Sequence, residues 1–192
     1  FVRTAAARGL ASLPATPEVT IPAIEKLLAE ADETTARHAL DALAVIGAPA
    51  VPRLVDALKH ENLQLEVVYL LGQIGPAAAP ATEALVGLIH DEDPDVAHEA
   101  LQALAKIGPG AKAAAGVLAE AVQNPEYANR HAALYALGMI GPDAAAAAPA
   151  IKPLLADADS SLALTSAWAL VKIQEPTAET AAAVVPVLAA GL

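Results

Sequence analysis

Apolar residues recur along the chain in series with intervals of four, four and three, and each series ends on an isoleucine or a leucine. Residues at these intervals share one face of an α-helix. The clearest series are Val96, Ala100, Leu104 and Ile107; Leu63, Val67, Leu71 and Ile74; Val2, Ala6, Leu10 and Leu13; and, with a polar first member, Asn129, Ala133, Leu137 and Ile140. The pattern predicts a set of α-helices that each bury one stripe of side chains.

The last residues of these series are evenly spaced. Ile74, Ile107 and Ile140 follow one another at 33 residues, and each precedes a glycine and a proline. Three less regular copies are Ile173, another 33 residues on, Ile46-Gly47, 28 before Ile74, and Leu13-Pro14, 33 before Ile46. A fixed period in this range predicts a stack of about six small units, none of which can bury a core alone.

Glycine marks the expected end of each periodic helix. A glycine in the left-handed conformation commonly ends a helix, and a following proline prevents its continuation. The glycines concerned are Gly47, Gly75, Gly108 and Gly141. Asp93-Pro94 and Asn124-Pro125 are predicted helix starts, because each places a capping side chain before a proline suited to the first turn.

An alanine-rich helix follows each stop. These helices are expected at residues 22–31, 52–59, 82–90, 111–122, 149–156 and 178–189. We call the alanine-rich helix the first helix of a unit and the helix that ends on Ile or Leu the second helix. Each unit is then a helical hairpin, and twelve helices are expected. Since the chain begins on a second helix and ends on a first helix, residues 1–192 are interpreted as one array within a longer chain.

Prolines also recur in register within the first helices. Pro22 and Pro149 both lie eight residues past the stop position and are expected to begin helices. Pro153 and Pro186 both lie twelve residues past it and are expected to kink or interrupt them.

The composition and net charge of the chain argue against several classes of function. Of 192 residues 56% are hydrophobic and only 3% aromatic, which is typical of an all-helical chain rich in alanine and leucine. A net charge of −11 argues against nucleic acid or an anionic membrane as the main partner. The chain has no cysteine, which excludes disulfides, thiol catalysis and thiolate metal sites. Its most apolar segment, residues 180–192, is too short to span a membrane, so no membrane insertion is expected.

The repeats resemble HEAT repeats of the short type found in bilin-lyase-like proteins. The resemblance is carried by segments such as AVPRLVDALKHENLQLEVVYLLGQIG and DEDPDVAHEALQALAKIG, and it covers nearly the whole chain. Ankyrin and tetratricopeptide repeats have different signatures, which are absent here. The resemblance implies an all-α, right-handed α-solenoid whose second helices line the concave side. It implies little about function, because such arrays serve as scaffolds, adaptors, inhibitors and occasionally enzymes.

Two columns of residues on the second helices form a candidate binding ladder. Five residues before each terminal Ile or Leu stand Arg8, Asp41, Tyr69, Gln102, Tyr135 and Trp168, and four residues earlier stand Thr4, Arg37, Leu65, His98, His131 and Leu164. The first column holds three of the four Tyr and Trp residues of the chain, and such aromatics anchor many protein interfaces. They are equally able to pack against the neighbouring repeat, and both interpretations stay open. The candidate partner-binding residues are Arg37, Asp41, Tyr69, His98, Gln102, His131, Tyr135 and Trp168.

His98-Glu99 is similar to the metal-binding pairs of deoxyhypusine hydroxylase, a HEAT-repeat enzyme with a di-iron centre. That resemblance implies a His-Glu pair in each neighbouring repeat, yet the matching positions read Leu65-Glu66, His131-Ala132 and Leu164-Thr165. One pair cannot supply the ligands of a di-iron site. No catalytic residue, metal or cofactor is therefore predicted, and bilin-lyase activity rests on family resemblance alone.

Acidic residues gather in the turns that precede second helices. They are Glu30, Asp32, Glu33, Glu61, Asp91, Glu92, Asp93, Asp95, Asp157 and Asp159. Helix capping and solubility account for them, and electrostatic steering of a basic partner is the alternative.

The sequence thus predicts a non-catalytic interaction scaffold that binds a protein on its second-helix face. The alternative is an architectural spacer or subunit of a larger assembly. The apolar C-terminal helix, with Val187, Leu188 and Leu192, favours this alternative because end units of solenoids usually have polar outer faces. We expect further chain or another subunit to cover that helix.

Overall fold

The computed structural model describes residues 9, 17–29, 33–175 and 177–191, and every regular element within them is helical. The α-helices are α1 (Pro17–Ala29), α2 (Glu33–Ile46), α3 (Val51–Ala57), α4 (Gln64–Ile74), α5 (Thr82–Leu88), α6 (Pro94–Ile107), α7 (Ala115–Gln123), α8 (Arg130–Ile140), α9 (Ala148–Ile151), α10 (Ser160–Ile173) and α11 (Ala178–Ala190). Short 3-10 segments are Ala48–Ala50, Glu61–Leu63, Gly75–Ala81, Gly108–Ala114, Gly141–Ala147 and Lys152–Ala156. The all-α class is confirmed.

The helices stack in two layers in the order of the chain. The second helices α2, α4, α6, α8 and α10 each contact the next one along the array. The first helices and their 3-10 extensions form the other layer, as in the contacts of α7 with α9 and between successive 3-10 corners. Fully buried side chains such as Leu85, Leu104 and Leu118 fill the space between the layers. This arrangement is that of a helical solenoid, as the 33-residue period predicted.

The number of separate helices differs from the prediction of twelve. The described residues form eight uninterrupted helical stretches: 17–29, 33–46, 48–57, 61–88, 94–123, 130–156, 160–173 and 178–190. The first predicted second helix lies outside the described residues, apart from Gly9, which is helical. At three corners a second helix then runs into the following first helix through a 3-10 segment, so that six predicted helices become three. The prediction was wrong there because Gly-Pro was taken as a complete stop, whereas hydrogen bonding continues in the tighter 3-10 pattern.

The glycines at these corners have positive φ but not the left-handed helical conformation that was predicted. Gly75 has φ 66° and ψ −135°, and Gly141 has φ 76° and ψ −146°. These angles are the mirror image of the extended region, which glycine adopts because it has no Cβ. The Gly141 N–H still donates to the carbonyl of Leu137. The glycine therefore closes the last α-helical turn and redirects the chain in one residue.

One of the two predicted helix starts is confirmed. The Asp93 carboxylate accepts the Asp95 N–H at 2.9 Å and caps α6. Asn124 instead accepts the Glu126 N–H at 3.0 Å within a turn, and α8 begins only at Arg130. The intervening loop is held by Tyr127, whose hydroxyl donates to the Ile89 carbonyl of the preceding repeat at 2.7 Å. Burial raises the pKa of this Tyr127 hydroxyl.

The in-register prolines have mixed outcomes. Pro149 stands at the start of α9, and α9 gives way to a 3-10 segment that contains Pro153, as predicted. Pro22 does not begin a helix but lies inside α1, which starts at Pro17. Pro186 lies inside α11, which continues through it, so the helix is not interrupted there, and a kink at Pro186 stays a prediction.

The stretch 130–156 has 27 residues and is long and apolar enough to cross a membrane by length and composition alone. The sequence prediction that no stretch would meet this criterion was wrong, because Gly141-Pro142 was treated as the end of a helix. In the solenoid 61% of the most apolar part of this stretch is buried, and Gly141 redirects the chain within it. Burial and a change of direction are typical of two successive helices in a protein core.

Candidate functional site

The exposed sides of α2, α4, α6, α8 and α10 form one surface, which we call the second-helix face. The predicted ladder residues of these helices lie on it. Tyr69 is 48% exposed and Tyr135 41%. Of the other candidate partner-binding residues, Gln102 and Trp168 are half-buried, and four are exposed: Arg37, Asp41, His98 and His131. Most of these side chains thus reach the surface, and their role in partner binding stays a prediction.

Tyr135 and Trp168 form a stacked pair across two repeats. Their ring centroids are 5.3 Å apart with an interplanar angle of 12°, and the Lys172 ammonium lies 5.9 Å from the centre of the Trp168 ring. The indole rests on Gly138 of α8, where a Cβ would lie 2.7 Å from Cη2 of Trp168. Trp168 is thus a packing residue that also supports the exposed Tyr135.

Tyr69 lies apart from this stack. The Lys106 ammonium is 5.4 Å from the centre of the Tyr69 ring. Gln102 occupies the intervening position of the column, with its amide nitrogen 3.5 Å from Nε2 of His98. The structure therefore divides the predicted aromatic ladder into an isolated tyrosine on α4 and a stacked pair on α8 and α10.

Charged side chains on the second-helix face pair with one another. Arg37 Nε lies 3.1 Å from Glu66 Oε2 on the next second helix, and Lys106 Nζ lies 3.5 Å from Glu99 Oε1 within α6. His131 Nε2 lies 3.9 Å from Asp159 Oδ2, which would be an ion pair only with protonated histidine. These exposed pairs add little to stability, but they fix the distribution of charge over the face.

Sequence reasoning missed several exposed apolar residues of this face. The large hydrophobic side chains that are exposed in the described residues are Val19, Val45, Leu65, Tyr69, Tyr135, Met139, Val171 and Val185, and six of these eight belong to second helices. Met139 and Val45 share the column just before the terminal isoleucine, which could have been examined in the same way as the ladder. Tyr135 and Met139 are one turn apart on α8, and Trp168 and Val171 are one turn apart on α10. We call these four residues the apolar shelf.

A cavity of about 440 Å³ opens on the same face farther toward the N-terminus. Its lining residues are Arg37, Asn62, Leu65, Glu66, Tyr69 and Glu99. We call it the α4 pocket, because four of its six residues lie on or next to α4. It combines one exposed ring with two carboxylates that occupy equivalent positions in successive repeats.

His98 and Glu99 do not form a metal centre in this arrangement. His98 is exposed, while Glu99 turns toward Lys106. Within the part of the chain that the structure describes, no group of three or more His, Asp or Glu side chains is placed to hold a metal ion. The geometry offers no di-iron site at this pair.

The acidic turns have a local structural role. Asp159 accepts the Ser161 N–H at 2.9 Å and caps α10, just as Asp93 caps α6. Asp91 and Asp157 each accept the backbone N–H two residues on, at 2.9 and 3.0 Å. Helix capping by Asp93 and Asp159 and turn hydrogen bonds of Asp91 and Asp157 therefore account for these four carboxylates, and steering of a basic partner stays a prediction.

Comparison with known proteins agrees with this architecture. The family described as HEAT repeats matches residues 59–138 and 78–171. The bilin-lyase-like subtype is not distinguished by this match and stays a prediction. No curated protein matches the chain.

Three crystal structures of engineered proteins have similar folds. The first is 25% identical, with a TM-score of 0.58, and the match covers 85% of this chain and 83% of that protein. The second is 24% identical with a TM-score of 0.58 over 96% of this chain and 57% of that protein. The third is 24% identical with a TM-score of 0.57 over 85% of each chain. At this level of identity the similarity concerns the fold.

Proposed function

The chain belongs to the HEAT-repeat family, and on that basis we propose that it is a non-catalytic scaffold whose protein partner binds the second-helix face. Arrays of this family generally serve in protein interaction. The observation that carries the choice of face is the concentration of exposed large apolar side chains on second helices. Exposed apolar patches with a polar surround mark interaction sites more often than chance exposure does.

The apolar shelf is the part of the face best suited to anchor a partner. Tyr135 presents a large ring that the stack on Trp168 holds in one orientation. Little conformational entropy is then lost when a partner covers the ring. Met139 adds a flexible apolar side chain that adapts to different partner shapes.

Removal of the exposed shelf side chains is expected to weaken partner binding by about thirtyfold or more, since anchors of this kind contribute about 2 kcal/mol or more. The test is affinity capture from an extract of the source cells with the Tyr135→Ser/Met139→Ser variant, followed by titration of the captured protein. The matched control is Val19→Ser, which removes an exposed apolar side chain from the first helix α1.

A partner that is retained by the wild type and the control but lost by the shelf variant supports the proposal. Equal retention by all three proteins contradicts it and moves the contact to another surface. If none of the three proteins retains a specific partner, the interpretation as an architectural spacer is favoured. Unchanged far-ultraviolet circular dichroism is required of both variants.

We also propose that α11 is covered in the functional assembly. Thr180 and Val184 are its buried residues, while Val185 and Pro186 are exposed. The isolated chain of 192 residues is therefore expected to self-associate as its concentration rises, and Val185→Glu to reduce this association. Sedimentation velocity from 0.01 to 1 mM protein measures both effects. A wild-type chain that stays monomeric over this range contradicts the expectation.

A further inference from the structure

We infer that the α4 pocket receives an arginine side chain of the partner polypeptide, which displaces Lys106 from Glu99. This inference rests on the proposed function, because the pocket lies on the same second-helix face as the apolar shelf. It specifies which type of partner side chain binds in the α4 pocket, which the apolar shelf alone does not indicate.

One of the two carboxylates of the pocket, that of Glu99, lacks a hydrogen bond at one oxygen. Glu66 and Glu99 stand 33 residues apart at the same position of successive repeats, and their side chains are only 27% and 21% exposed. Oε1 of Glu99 is inaccessible to solvent and has no hydrogen-bond partner, although Lys106 Nζ lies 3.5 Å away. A buried carboxylate oxygen without a hydrogen bond raises the free energy of the unbound protein. A hydrogen-bond donor supplied by a ligand removes this cost and so strengthens binding of the ligand.

Tyr69 supplies the second feature of the pocket. Its ring is 48% exposed, and it already has a cation, Lys106 Nζ, 5.4 Å from its centre. A guanidinium group can lie flat on a tyrosine ring while it donates two parallel hydrogen bonds to a carboxylate. An ammonium group cannot make this planar, two-pronged contact, so arginine fits the pocket better than lysine.

The exchange of Lys106 for a ligand arginine keeps the charge of the pocket unchanged. The free protein pairs Glu66 with Arg37 and Glu99 with Lys106. Lys106 is 39% exposed, and its two contacts, with Glu99 at 3.5 Å and with the Tyr69 ring at 5.4 Å from the centre, are of the weak kind found at protein surfaces. The lysine can move into solvent when an arginine enters, and each carboxylate then retains one cation.

The position of the pocket favours a polypeptide over a small cation. The pocket lies on α4 and the shelf begins on α8, two second helices farther along the array. Neighbouring packed helices are about 8–10 Å apart, so the two sites are separated by about 20 Å. An extended chain covers this distance in about six residues. One segment with an arginine about six residues from an apolar anchor reaches both sites.

The test uses the tripeptide Ac-Ala-Arg-Ala-amide and its uncharged counterpart with citrulline in place of arginine. Binding is followed through the ring resonances of ¹³C-labelled tyrosine, and the Tyr69 signal is assigned with the Tyr69→Phe variant. Putrescine serves as the small-cation probe. The protein variants are Glu99→Gln, Lys106→Met and, as a matched control, Glu83→Gln, which changes an exposed carboxylate on the first helix α5.

The arginine peptide is expected to shift the Tyr69 signal saturably, and the citrulline peptide to bind at least about tenfold more weakly. Glu99→Gln should weaken the arginine peptide by a similar factor, Lys106→Met should strengthen it about threefold, and Glu83→Gln should leave it unchanged. Equal binding of the citrulline peptide, or weaker binding to Lys106→Met, overturns the inference. Putrescine that binds as tightly as the arginine peptide also overturns it, because the pocket would then be a site for small cations. These outcomes leave the shelf experiment unaffected, so a failure here is separate from a failure of the proposed function.

Discussion

Replacement of Gly138 by alanine is expected to destabilise the protein by about 1–3 kcal/mol, the usual range for overpacking in a tightly packed region. The added methyl group would overlap the indole of Trp168, with 2.7 Å to Cη2 and less to Cζ3. The indole must then lift from α8 and give up its stack with Tyr135. Since Trp168 is the single tryptophan of the chain, its emission should shift to the red as the ring becomes more exposed.

The matched control for this prediction is Gly116→Ala in the first helix α7. No atom lies within 4 Å of the Cβ that this change introduces. Alanine is favoured over glycine inside a helix by about 0.5–1 kcal/mol, so the control should be slightly stabilised, with unchanged tryptophan emission. Thermal unfolding followed by circular dichroism gives the stability of both variants. If Gly138→Ala is as stable as the control and its emission does not move, Trp168 is not seated on Gly138.

Replacement of Gly141 by alanine is expected to cost a similar amount, about 1–3 kcal/mol, for a different reason. Nothing lies within 4 Å of a Cβ at this position, so no collision occurs. The cost comes from φ 76° and ψ −146°, a conformation that residues with a Cβ rarely adopt. The helix pair α8 and α9 then either bears this strain or changes its relative direction.

The Gly141→Asn variant tests whether Gly141 has the observed backbone conformation or the left-handed helical one. Asparagine tolerates the left-handed helical region better than alanine does, but it has no such advantage at a ψ of −146°. Gly141→Asn and Gly141→Ala should therefore be destabilised to the same extent in thermal unfolding. A clear rescue by asparagine would show that Gly141 has the left-handed helical conformation and would contradict the geometry described above.

The sequence predicted the repeated hairpin well because burial enforces its period. Leu104 is fully buried. The equivalent residue of every other unit can be buried in the same way only if each unit packs against the next with the same face. The corners were predicted less well. Gly-Pro is a strong sign that a helix changes direction, yet it does not tell whether hydrogen bonding stops or passes into a 3-10 segment. The outcome depends on ψ of Gly75, Gly108 and Gly141, which the sequence does not reveal.

The role of the candidate residues in partner binding stays a prediction, and the sequence did not predict the contacts that these residues make. The column that contains Tyr69, Tyr135 and Trp168 follows directly from the period. The contact of Trp168 with Gly138 could not be predicted, since Gly72 occupies the same position of another unit and faces Ala103 instead. Likewise, Glu66 and Glu99 were noticed only in the comparison with metal-binding His-Glu pairs. Their convergence on one pocket with Tyr69 depends on how closely α4 and α6 pack.

Site-specific photo-crosslinking can show directly whether a partner binds the second-helix face. The photoreactive residue p-benzoylphenylalanine is introduced in place of Tyr135 in one protein and in place of Val19 in another, which places it on a first helix. Both proteins are irradiated in an extract of the source cells, and the adducts are identified by mass spectrometry. If a partner binds the second-helix face, we expect a defined polypeptide adduct at position 135 and none at position 19. Adducts at position 19 alone, or the same adducts at both positions, would contradict it.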